Sequence, residues 1–310
     1  MVLSAMAGYT DLPYRLICRQ LGAEYCTSEM MLDKSLLVGS KLRKRLAAIS
    51  QDDHPVAGQL IGNSPDTMAT AAAMLDEIGF DVVELNFACP VNKALRRRRG
   101  GYLMSCPDEA LAIVRAVIAA TARPVSLKLR RSFRATDDES NFWRIAEGGS
   151  AAGVSAITVH ARSVEVKYSG PADWSFLADV REKLPDQTII GSGDMLTPQA
   201  ALDAMDELGL DGIAVARGAL GNPWFFQQVK NILAGCCPEG PTLTEQRELL
   251  LRHFADTCGL YGPKRGPKMM RKFGIKYARL HPHPRRAREA FVDISSAEDW
   301  HAAVARLYQA

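Results

Sequence analysis

The chain has 310 residues, 47% of them hydrophobic and 24% charged, which is the balance of a soluble globular protein able to bury one large core or two smaller ones. Its seven cysteines (18, 26, 89, 106, 236, 237 and 258) are scattered without paired CxxC spacing, so the pattern supports neither a disulfide framework nor a metal site. No apolar run reaches membrane-spanning length and no signal peptide is recognisable, so a reducing, cytoplasmic setting without a membrane partner is expected.

In chain order, short apolar runs alternate with amphipathic ones. Strands are predicted near 2–6, 24–28, 55–60, 81–86, 124–129, 155–160, 187–192 and 211–216. Helices are predicted between most of them, over 11–21, 65–78, 107–121, 139–152, 174–183, 197–207 and 222–234. Ser64-Pro65 and Thr197-Pro198 each pair a capping residue with a proline at the first helical position. Gly79, Gly153 and Gly209 sit where helices should stop. Eight such alternations predict an α/β fold, a (β/α)8 TIM barrel over residues 1–240. A doubly wound sheet would carry a GxGxxG turn after its first strand; here the glycine-rich turns follow the seventh and eighth strands instead.

Residues 241–310 read as helices only, a small C-terminal domain. Thr244 is expected to cap a helix over 245–258, a Pro/Gly turn at 262–267 leads into a helix over 268–280, His281-Pro282-His283-Pro284 breaks it, and a last helix spans 296–308. Net charge is +3 overall, but residues 1–240 hold 25 Lys/Arg against 28 Asp/Glu while residues 241–310 hold 13 against 7. Between Lys264 and Arg288 lie ten basic residues and no acid. A polyanion is the natural partner of such a surface.

The strand ends carry the candidate chemistry, because parallel barrels keep their active sites at that face. Strand one ends in Ala5-Met6-Ala7-Gly8, strand three in Gln59, strand four in Asn86 and Cys89, strand five in Lys128 and Arg130, strand six in His160 and Arg162. Strands seven and eight end in Ser192-Gly193-Asp194 and Arg217-Gly218, turns suited to a phosphate. Taken alone, Cys89 is either a small buried hydrophobe or a reactive thiol, and His160 either a core histidine or a ligand contact. Together, a lysine, a glutamine and a histidine around an apolar floor suit an electron-rich ring that becomes negatively charged on reduction, as flavin mononucleotide (FMN) does.

The chain resembles the tRNA-dihydrouridine synthase family over nearly its full length. The resemblance rests on Met6-Ala7-Gly8-Tyr9-Thr10-Asp11, Ser28-Glu29-Met30, Gln59-Leu60, Leu85-Asn86-Phe87-Ala88-Cys89-Pro90-Val91, Lys128-Leu129-Arg130 and Val159-His160-Ala161-Arg162, together with 167–174 and 215–224. It implies an FMN-binding barrel followed by a helical RNA-binding domain, and reduction of a uridine in tRNA (or in rRNA) with NADPH or NADH as reductant. It places Cys89 as the proton donor and Ala5, Met6, Ala7, Gln59, Asn86, Lys128, His160, Ser192, Gly193, Asp194, Arg217 and Gly218 around the flavin. Arg130 and Arg162 are expected toward the base, and Lys268, Arg271, Lys272, Lys276 and Arg279 toward RNA phosphates. The run Arg96–Arg99 is expected to be a mobile loop beside Cys89. Ala88, Ser4-Ala5-Met6 and Ser192 depart from the family's usual Gly, Ala-Pro-Met and Asn, small residues for small residues. A monomer is the expected state. Two other readings stand beside this one, a flavin barrel reducing a free pyrimidine, resembling dihydroorotate dehydrogenases, and an RNA-binding module without catalysis.

Overall fold

The computed structural model describes residues 1–39 and 41–309. Its parallel strands are β1 Val2–Leu3, β2 Tyr25–Thr27, β3 Met31–Leu32, β4 Val56–Ile61, β5 Val82–Asn86, β6 Val125–Arg130, β7 Ala156–His160, β8 Thr188–Ser192 and β9 Gly212–Val215. The sheet closes because β1 pairs with both β2 and β9, and β2 pairs onward with β4. The unpredicted β3 adds two residues beside β4. The fold is a (β/α)8 barrel of eight closed strands, as the alternation predicts.

The side-chain period of two explains the wall. Val83, Leu85, Val125, Leu127 and Leu129 are buried in the hydrophobic core, while Glu84, Asn86, Ser126, Lys128 and Arg130 occupy the alternate positions, all of them buried. Barrel interiors are usually filled by branched apolar residues; here the inner face is polar. A small cavity of about 220 Å³ lies inside the barrel, bordered by Tyr25, Glu84, Ser126, Lys128 and Thr158.

The helices between strands are α1 Leu12–Gln20, α2 Pro65–Ile78, α3 Pro107–Ala120, α4 Ser140–Ala151, α5 Trp174–Lys183, α6 Pro198–Glu207 and α7 Phe225–Leu233, each within three residues of its predicted bounds. Thr197 caps α6 by accepting from Ala200 N at 3.2 Å, whereas Ser64 makes no side-chain cap on α2. Gly79 closes α2 with φ +104°, a conformation open to glycine at little cost. Short helices at Asp33–Leu37, Lys41–Leu46 and Asn92–Leu95 were not expected; each is under two turns, too short for periodicity to register.

Four helices follow, α8 Leu243–Tyr261, α9 Gly266–Tyr277, α10 Pro284–Val292 and α11 Ala297–Leu307. The cap of α8 is Thr242 and not Thr244: its hydroxyl accepts from Glu245 N at 3.2 Å and Glu245 Oε2 accepts from Thr242 N at 2.7 Å, a capping box. The unexpected α10 starts at Pro284, the last residue of the predicted break, because proline at the first helical position favours initiation.

These helices dock on the barrel's C-terminal mouth. Tyr14 of α1 donates to Ala219 O at 2.6 Å and its ring lies 5.7 Å from that of His253 and 5.3 Å from that of Phe273. Lys272 Nζ donates to Gly8 O, and Arg279 Nη2 donates to Gly218 O at 2.6 Å. The helical segment thus fastens the loops after β1 and β9. Among the described residues no helix is long and apolar enough to cross a membrane, and no cluster of side chains is placed to hold a metal ion.

Candidate active site

A cavity of about 420 Å³ opens at the C-terminal ends of the strands. Its lining includes Ala5, Met6, Ala7, Gln59, Asn86, Cys89, Lys128, Arg130, His160, Ser192, Gly193, Asp194 and Arg217. The strand register brings them to one level, with Asn86 opposite Lys128, Arg130 opposite His160 and His160 opposite Ser192. Residues separated by up to 212 positions in sequence therefore meet because the sheet closes.

Lys128 is buried and donates to Ser4 Oγ at 3.1 Å. Burial lowers its pKa, Glu84 pulls it back up, and Arg130 lowers it again. His160 is pushed far down, first by burial and then by the charges of Arg130, Lys128 and Arg162, so its ring is neutral. Burial raises the Cys89 thiol, against the Val91 backbone hydrogen bond and the Arg130 charge; the group is therefore a protonated thiol at neutral pH.

Asn86 Oδ1 accepts from Ala88 N at 3.0 Å and from Cys89 N at 2.9 Å, which fixes the turn that presents the thiol. Gly100 and Gly101, at the end of the arginine run, pack onto it. A Cβ on Gly100 would lie 2.8 Å from Cys89 Cβ, and Gly101 N donates to Cys89 O at 3.0 Å. Arg96, Arg97 and Arg98 are exposed, and Arg98 pairs with Glu109.

Arg130, buried, donates to Ala88 O at 2.9 Å, Ser163 O at 2.8 Å and Lys167 O at 2.7 Å. Burial lowers its pKa to about 10. Tyr168 stands over it, with the Arg130 and Arg217 guanidinium carbons 5.6 and 5.2 Å from the ring centre.

Arg162 does not line the cavity. Its guanidinium is buried and donates to Gly170 O at 2.6 Å and to Asp194, so it braces the turn after β8 where the sequence suggests a base contact. Burial raises the Asp194 carboxyl, but the Arg162 hydrogen bond, the Ala172 N–H and the charges of Arg162 and Arg217 outweigh it and hold the group low. Gly193 has φ +127°, and Asp194, at φ +55°, holds the left-handed conformation. Gly218 sits just outside the cavity lining; a Cβ there would fall 2.3 Å from Met195 O.

Of the basic residues on the helical segment, Lys268, Arg271, Lys276 and Arg279 are exposed. Lys272 is half-buried and turned onto Gly8 and the rings of Tyr9 and Phe273, 4.9 and 5.2 Å away. It is thus an internal contact, where the sequence groups it with the surface bases. Sequence reasoning missed Ser4, Glu84 and Tyr168 as site residues. Ser4 and Glu84 belong to strands read as apolar runs, where only the inward parity of each position could have marked them.

The family model described as Dihydrouridine synthase (Dus) matches residues 2–309. A probable tRNA-dihydrouridine synthase of Rickettsia conorii is 34% identical over 275 residues, 87% of this chain and 82% of that protein. The tRNA-dihydrouridine synthase B of Xanthomonas campestris pv. campestris is 32% identical over 282 residues, 91% of this chain and 84% of that one. Among solved structures, a 2-naphthoyl-CoA reductase complexed with 2-naphthoyl-CoA matches with TM-score 0.57 at 14% identity, over 76% of this chain and 50% of that one. Histamine dehydrogenase from Rhizobium sp. 4-9 matches with TM-score 0.58 at 15% identity, over 82% and 48%. This chain spans about half the length of those two, which show its fold alone. With a family model covering all but the ends and relatives above 30% identity over most of their length, the chain belongs to the dihydrouridine synthase family, whose members are flavin-dependent oxidoreductases.

Proposed function

We propose that this protein reduces a uridine of tRNA to 5,6-dihydrouridine, with FMN in the 420 Å³ cavity and NADPH as reductant. The observation that carries the reading is the convergence of Cys89, Lys128 and His160 on that one cavity, together with the family match. The residues fit the cofactor: His160, on the cavity wall, has its Nδ1 buried without a partner among the described residues, a ring nitrogen left free for a polar group of the ligand. Lys128 and Gln59 supply a cation and an amide where the ring's polar edge would lie.

When bound, FMN would supply the hydride for C6 of the uracil. The chain supplies the rest. Cys89, a thiol kept protonated by burial, delivers the proton to C5, general acid catalysis of a kind that contributes about 10²–10⁴-fold. Lys128 stabilises developing negative charge on the ring electrostatically. Arg130, beside Cys89 and under Tyr168, holds the base. A uridine must leave its stack to reach this depth, at a cost of a few kcal/mol, and phosphate contacts offset that. Lys268, Arg271 and Lys276 on α9, with Arg96 and Arg97, are exposed for the purpose. Residues 241–310 act as the RNA-binding part, and the setting is the cytoplasm.

The test is dihydrouridine mapping of total RNA from cells with and without the gene. Loss at one or a few tRNA positions is expected; loss confined to rRNA would move the substrate, and an unchanged map with a flavin-bearing protein would favour a small-molecule substrate.

A further inference from the structure

Glu84 lies on β5 two residues before Asn86, hence on the same inner face. It is 5% exposed and stands opposite Gln59 in the β4–β5 register. Its carboxylate accepts from Gln59 Nε2. Gln59 Oε1 accepts in turn from Asn86 Nδ2 at 2.7 Å, and Asn86 Oδ1 accepts from the backbone N–H groups of Ala88 and Cys89.

A side-chain amide alone can face either way, since its two ends differ only in being donor or acceptor. An ionised carboxylate can only accept. Gln59 must therefore turn its NH₂ toward Glu84 and its oxygen toward Asn86. Asn86 must give its NH₂ to Gln59, which leaves its oxygen for the Cys89 turn. Reversing either amide would set donor against donor or acceptor against acceptor. The carboxylate at one end, an acceptor, and the two backbone N–H groups at the other, which can only donate, thus impose the same sense on both amides and on the turn that carries the thiol. Burial raises the Glu84 pKa, and the Lys128 charge and the Gln59 N–H oppose that rise.

We infer that Glu84 is a positioning residue, orienting the Gln59 amide and the Cys89 thiol through hydrogen-bond polarity without touching the ligand. The inference deepens the reading of Cys89 as proton donor and rests on it, yet its test needs neither flavin nor RNA.

Glu84→Gln keeps the shape of the side chain but can donate or accept, so the sense of the relay is then imposed from the Cys89 end alone. Iodoacetamide labelling of Cys89, followed by mass spectrometry of its peptide and referenced to the exposed Cys236-Cys237 peptide, is expected to rise about tenfold, one net hydrogen bond's worth. Glu84→Asp, which remains an acceptor only, is expected to label more slowly than E84Q. The double variant E84Q/K128M leaves no buried cation facing the lost carboxylate and should label as fast as E84Q, with circular dichroism reporting the fold of each. In the wild-type protein the Ala88 and Cys89 amides should be protected from hydrogen exchange. Labelling unchanged in the folded variants overturns the inference, and so does free exchange of those two amides in the wild type. A wild-type protein that binds no flavin would overturn the cofactor reading and leave these outcomes intact.

Discussion

Lys272→Met tests whether the helical segment holds the flavin-side loop or only faces RNA. Gly8 is gripped from two sides: Glu29 Oε2 accepts from its N–H at 2.7 Å, and Lys272 Nζ donates to its carbonyl. The methionine keeps most of the apolar stem and removes the charge. A charged hydrogen bond contributes about 1.5–3 kcal/mol, and the contacts with the Tyr9 and Phe273 rings add about 0.5–1 kcal/mol. Burial opposes the lysine's charge, lowering its pKa, and offsets part of that gain. A net loss of about 2–3 kcal/mol is expected, read as a lower urea midpoint at unchanged m-value. FMN affinity should fall with it, because Met6 and Ala7, on the same loop, line the cavity. The salt dependence of tRNA binding should not change. If Lys272 were a phosphate contact, log K against log salt would lose about 0.7–0.9 of slope while stability held. That pattern would refute the internal clamp.

Cys89→Ala should retain bound FMN and lose about 10²–10⁴-fold in single-turnover uridine reduction; an unchanged rate removes the thiol from the chemistry. Gly218→Ala pushes a Cβ to 2.3 Å from Met195 O and should cost about 1–3 kcal/mol and weaken FMN retention, whereas Gly240→Ala, with nothing within 4 Å, should leave the melting temperature unmoved. Replacing Lys268, Arg271 and Lys276 together by Ala should lower the salt slope of tRNA binding by about 2–3, and an unaltered slope would place the RNA elsewhere. Burial first, then Glu29, raises the Asp11 carboxyl from 3.8 to about 6, so its charge destabilises the fold above pH 6 and that penalty disappears as pH falls from about 6 to about 4. Between pH 7 and 4 the wild type should therefore gain up to about 3 kcal/mol relative to Asp11→Asn, and a pH-independent difference in urea unfolding would refute it.

The barrel was legible because its outer wall is written at period two in valine, leucine and isoleucine, and its site because parallel closure gathers every strand's C-terminal end at one mouth. Gln59, Asn86, Lys128 and His160 could be named from strand ends alone. Glu84 could not: inside Val82-Val83-Glu84-Leu85 it interrupts an apolar run, and only the pairing of β4 with β5 shows the carboxylate facing Gln59. Lys272 was misplaced for a related reason. A helix with five bases over 268–279 has no polar face that the sequence can assign to solvent, and charge count treats all five alike. Position on the helix separates them only once the docking face is known. Met270, Phe273 and Tyr277 are buried on α9, and Phe273 meets Tyr9 and Tyr14 of the barrel. Lys272 adjoins Phe273 on α9, and Arg279 lies in the 3-10 turn Ala278–Leu280 that follows it. Both therefore reach barrel carbonyls, those of Gly8 and Gly218. These two cations tie the helical segment to the loops after β1 and β9. Strain imposed on α9 by RNA would thus arrive first at the walls of the flavin cavity.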